Sequence, residues 1–153
     1  MNQTEILKKC FSFMDLTTLH TEDTPESVKN LVDKVTVLTK EYPSYPLPAS
    51  VCVYPNLANV VRENRPCEAL HVTAVSSCFP TAQSFLEVKV RECELAVGNG
   101  ADEIDIVLAL NKFLAGDEAG AKEEIVAMKK AVDAAGERLG RKIVFKVILE
   151  TGL

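Results

Sequence analysis

Apolar runs of strand length alternate with amphipathic helical stripes along the whole chain, and this alternation restricts the fold more than any other feature. Residues 3–13 place Ile6, Leu7, Cys10 and Phe11 at the spacing of a short amphipathic helix. Met14 to Leu19 reads as a first strand. Thr24-Pro25-Glu26 then has a threonine suited to cap a helix and a proline suited to its first position. The stripe Val28, Leu31, Val32, Val35 and Leu38 continues that helix until the proline-rich segment from Tyr42 to Pro48 stops it.

The same pattern repeats three times more. Val51 to Tyr54 is expected as a second strand, with Asn56 capping a short helix to about Arg62. Leu70 to Val75 is expected as a third strand, followed by a helix with Leu86, Val90, Cys93 and Val97 on one side. That helix meets Gly98-Asn99-Gly100, where a left-handed cap is expected. Glu103 to Leu108 forms the fourth strand, and Asp117 caps a helix bearing Ala121, Ile125, Met128, Val132 and Ala135. Ile143 to Leu149 is an almost wholly apolar fifth strand, as parallel strands covered on both sides tend to be. Helix, strand–helix four times, then strand is the order of an α/β fold with parallel strands. Two architectures meet that description. A doubly wound five-stranded sheet suits 153 residues, whereas a complete eight-stranded barrel needs about 250. The polar residues carried on the strands favour part of a barrel.

Asp105 lies within a strand between Ile104 and Ile106, and Lys146 lies between Phe145 and Val147. Alternation along a strand puts Glu103, Asp105 and Val107 on one face and Ile104, Ile106 and Leu108 on the other. Lys146 shares its face with Val144, Ile148 and Glu150. Two strands thus aim opposite charges into one interior space, where neither charge is affordable alone. Spacing leaves two readings open, a structural ion pair or a proton-relay pair.

The remaining residues narrow the function by exclusion. The net charge of −5, with no basic cluster on one face, argues against nucleic acid. No apolar stretch approaches the ~18 residues of a membrane span. Five scattered cysteines without a C-x-x-C pair point to reduced thiols and a cytoplasmic setting. His20 and His71 are the only histidines, so neither a metal site nor another cofactor is expected. His20 is read as an exposed loop residue, His71 as a hydrogen-bonded strand residue, and Cys52 as a buried apolar thiol.

Four segments carry a family resemblance: Met14 to Leu19, Val51 to Pro55, Gly100 to Val107 and Phe145 to Gly152. In order and spacing they resemble the deoxyribose-phosphate aldolases, barrel enzymes that use no metal. The resemblance implies reversible cleavage of 2-deoxy-D-ribose 5-phosphate to D-glyceraldehyde 3-phosphate and acetaldehyde through a lysine Schiff base. It also implies that Asp105 is the fourth-strand proton-shuttling aspartate and Lys146 the lysine beside it. Asp15 and Thr17 match first-strand residues near the substrate, and Cys52 matches a cysteine lining the pocket. Ser76-Ser77-Cys78-Phe79-Pro80-Thr81-Ala82 departs from the family, which places a glycine soon after Phe-Pro. The family's Schiff-base lysine, its activating lysine and its phosphate loops have no counterparts up to Leu153. The expectation is therefore a single domain, residues 1–153, forming a partial barrel without strands six to eight. Such a chain should turn over little and associate with copies of itself through open strand edges. A non-catalytic half-barrel scaffold is the alternative. A flavodoxin-like or receiver domain is disfavoured, because Val75 to Cys78 offers no aspartate to phosphorylate.

Overall fold

The computed structural model describes residues 2–153. Its elements are α1 (Gln3–Phe11), β1 (Asp15–Thr17), α2 (Pro25–Glu41), β2 (Ser50–Val53), α3 (Ala58–Asn64), β3 (His71–Ser76), α4 (Leu86–Gly98), β4 (Glu103–Val107), α5 (Leu110–Leu114), α6 (Glu118–Arg138) and β5 (Val144–Ile148). All five strands pair in parallel and stand in chain order across one sheet. That order decides between the two architectures. A doubly wound sheet reverses direction to place helices on both faces. Here every crossover advances the same way, so right-handed connections put the helices on a single face. The sheet is an arc of a (β/α) barrel.

The packing follows. Val51, Val53, Val72, Ala74, Ile104 and Ile106 point outward and are buried beneath the helices. Val28, Val32 and Val35 of α2, Cys93, Ala96 and Val97 of α4, and Met128, Val132 and Ala135 of α6 meet them. Helix starts are set locally. Thr24 accepts a hydrogen bond from the Ser27 amide beside Pro25, and Asp117 accepts one from the Gly120 amide. One buried charge pair crosses this layer. Lys89 Nζ of α4 lies 2.7 Å from Glu124 Oε2 of α6, and Lys112 of α5 reaches the other oxygen at 2.9 Å.

Several expectations need correction. Asn56 does not cap α3; it lies in a 3-10 turn over Pro55–Leu57, because Pro55 already occupies the first turn position that its fixed φ favours. The stripe of α1 is not buried, with Ile6 and Leu7 exposed at the margin of the arc. The left-handed cap expected at Gly98-Asn99-Gly100, by contrast, is present: Asn99 ends α4, and Gly100 follows it at φ +111°. Helix α5 has no counterpart in the expected elements, since five residues are too few to show a helical period. Strands β1 and β4 stop before Leu19 and Leu108. The five cysteines are unpaired. Among the described residues no helix is long and apolar enough to cross a membrane.

Candidate active site

The inward face of the arc gathers charge around one ammonium. The β4–β5 register sets Asp105 opposite Lys146. Lys146 Nζ lies 2.9 Å from Asp15 Oδ2, 2.9 Å from Glu103 Oε2 and 3.1 Å from Asp105 Oδ1. Sequence alternation thus found the Asp105–Lys146 pair, and the fold adds Asp15 from the opposite edge strand. A hydroxyl chain extends the cluster. Ser50 donates to Asp15 Oδ1 at 2.7 Å, and Thr73 donates to Ser50 at 2.7 Å. His71 Nδ1 lies 2.7 Å from Glu103 Oε1, the hydrogen-bonded role expected of it. His20 is exposed.

The three carboxylates are not equivalent. Burial pushes Asp15 up, but hydrogen bonds from Ser50 and Lys146 outweigh it and hold the carboxyl below its ordinary value. Burial dominates at Asp105 and raises it, with the charges of Asp15 and Glu103 adding to the effect and Lys146 only partly opposing it. Its Oδ1 is buried and, despite the short distance to Lys146, receives no well-aligned hydrogen bond. A buried acceptor of this kind is either a defect or a working group. At Lys146 burial lowers the ammonium's hold on its proton, yet hydrogen bonds to Asp15 and Glu103 and the charge of Asp105 raise it overall.

Cys52 and Thr17 face each other across β1 and β2. Cys52 is buried, and its thiol is pushed up to about 12, first by burial and then by the Asp105 and Asp15 charges. It is therefore an inert wall. Thr17 is exposed and donates to the Asp15 carbonyl at 3.0 Å instead of joining the ion cluster. Ser50, Thr73 and Glu103 were absent from the candidate residues read from sequence. The alternation that singled out Asp105 also put Glu103 on its face, and applied to β2 and β3 it would have named the other two.

The loop after β3 holds Ser77, Cys78 and Ala82 at positive φ, a conformation glycine adopts more cheaply. Glu92 of α4 fixes it by accepting the Cys78 amide at 2.6 Å. Among the described residues no cluster of His, Cys, Asp and Glu is arranged to hold a metal.

No protein-family model matches the chain. A deoxyribose-phosphate aldolase of Agrobacterium fabrum is 33% identical over 141 residues, spanning 92% of this chain and 49% of that protein. A Caenorhabditis elegans relative provisionally given the same name is 36% identical over 153 residues, 99% of this chain and 47% of the relative. Among solved structures, QR15, an aldolase, superposes with a TM-score of 0.75 at 25% identity, over 92% of this chain and 55% of that one. The chain spans about half the length of the curated relatives it matches.

Proposed function

Because the chain belongs to the deoxyribose-phosphate aldolase family, we propose that its inward face is the proton-handling part of an aldolase site. The substrate is 2-deoxy-D-ribose 5-phosphate, cleaved reversibly to D-glyceraldehyde 3-phosphate and acetaldehyde. One observation carries this reading: Lys146 is shared by three carboxylates, and Asp105 is raised where Asp15 is lowered, with its buried Oδ1 lacking a well-aligned donor. In the cleavage direction Asp105 accepts the proton of the hydroxyl on the carbon being severed, and in synthesis it returns that proton. Lys146 stabilises the carboxylate so formed. Asp15 orients Lys146, Thr17 meets the substrate at the open end of β1, and Cys52 closes the wall.

Lys146 is not the Schiff-base amine. Carbinolamine formation needs a free amine, and three carboxylates within 3.1 Å keep this one charged. Lys146 is the only lysine on β1–β5. The covalent step therefore requires an amine from outside these strands, and the chain by itself has little turnover. Incubation with acetaldehyde and borohydride, followed by peptide mapping, tests this. The expected result is no reduced adduct at Lys146, and an adduct there would overturn the assignment.

A second reading rests on the sheet edges. β1 and β5 each pair on one side only, and Val144 is 42% exposed. Unpaired edges template strand addition, so the chain by itself associates with further copies. Sedimentation should give a dimer or larger species, whereas a monodisperse monomer contradicts it.

A further inference from the structure

On the outer surface, at the N-terminal end of β4, three guanidinium groups converge on one carboxylate. Asp102 Oδ1 accepts from Arg62 at 3.1 Å and Arg141 at 2.7 Å, and Oδ2 accepts from Arg65 at 2.8 Å and the Val72 amide at 3.1 Å. The carboxylate is saturated by this arrangement. Arg62 Nη1 and Arg141 Nη2 also reach the Gly100 carbonyl, and Arg141 reaches that of Ala101. Their remaining N–H groups make no hydrogen bond among the described residues.

Both arginines line a cavity of about 460 Å³ with Asn59, Glu63, Asn99 and Gly100. The charged residues lining the cavity are Arg62, Arg141 and Glu63, a net +1. Gly100 keeps the wall thin, since a Cβ there would sit 2.8 Å from Arg62 Cδ. Spare donors on two planar forks, a net positive charge and a volume within the range of small-molecule sites are what a tetrahedral oxyanion requires.

We propose that this cavity binds a phosphate group, either inorganic or on a small metabolite, at a site separate from the inward face. It stands independently of the aldolase reading, because none of its residues lies on that face. Calorimetric titration of the full chain with inorganic phosphate, against chloride at matched ionic strength, tests it. Saturable one-site binding is expected. Arg62→Gln should weaken it by about tenfold or more, and Asn59→Asp, which adds a negative charge to the wall, should weaken it too. Asp105→Asn on the inward face should leave it unchanged, with circular dichroism confirming that each variant is folded. No saturable heat, binding indifferent to both cavity variants, or binding lost in Asp105→Asn would overturn the proposal. A phosphomonoester that competes with inorganic phosphate would identify the metabolite form as a ligand, and absence of competition would restrict the site to the free ion.

Discussion

Glu124→Ala is expected to lower the stability of the chain by about 3–5 kcal/mol, the range for removing one partner of a buried ion pair. Lys89 is 2% exposed, and among the described residues Glu124 is its ion-pair partner. Truncating Glu124 strands that ammonium between α4 and α6, where water cannot replace the carboxylate. Lys112, which reaches Glu124 from α5, is 37% exposed in its side chain and simply returns to solvent. The loss should appear as a lower urea midpoint at unchanged slope. Replacing Lys89 and Glu124 together by methionine should recover most of it, since no buried charge is left alone. The pair also carries an acid signature. Burial raises Glu124, but hydrogen bonds from Lys89 and Lys112 hold it below the ordinary glutamate value. A lowered folded-state pKa gives stability that is present above the unfolded value and lost as pH falls through the folded one. The wild-type chain should therefore weaken at the acid end of the carboxylate range.

Lys146→Met and Asp105→Asn are expected to move stability in opposite directions at neutral pH. Removing Lys146 leaves Asp15, Glu103 and Asp105 facing one another without a cation. The loss is about 2–3 kcal/mol once screening by water is allowed for, because a third of the lysine side chain is exposed. With the cation gone, Asp105 loses the charge that partly opposed its rise and Asp15 loses a hydrogen bond and charge that held it down, so both should move up. Their contribution is then present in acid and lost as pH rises, so the variant should recover toward wild type as the carboxyls protonate. Asp105 already behaves that way in the wild-type chain, where its pKa is raised. Ionising it costs stability, and the neutral isostere Asn should make the chain more stable at neutral pH while removing the group proposed to accept the proton. A purely structural Asp105–Lys146 pair would be weakened by either change. Urea titration of both variants across the acid-to-neutral range separates the two accounts.

How far the sequence revealed this arrangement depended on the period of each signal. The helices α2, α4 and α6 were legible because their apolar residues recur every three or four positions over several turns, and α2 and α6 also have capping residues, Thr24 and Asp117, at their starts. Helix α5, one turn long, had no period to read. Asp105 and Lys146 stood out as charges within apolar strands. Ser50 and Thr73 did not, because small hydroxyl residues are at home in half-buried strands and reveal a network only when register brings them together. The arc itself was ambiguous until strand order was known, since one pattern of alternation serves sheets with helices on one face or on both. The junction of β1 with Lys146 was equally hidden, for no local pattern links residues 131 positions apart.

The central claim is that Lys146 works as a fixed cation beside Asp105. Its ammonium can be followed directly by heteronuclear NMR, with the signal assigned by its loss in Lys146→Met and titrated from neutral into alkaline pH. The account predicts that Lys146 keeps its proton beyond the ordinary lysine range, because Asp15, Glu103 and Asp105 surround it. A Lys146 that loses its proton near neutrality would be a free amine, and that result would contradict the account.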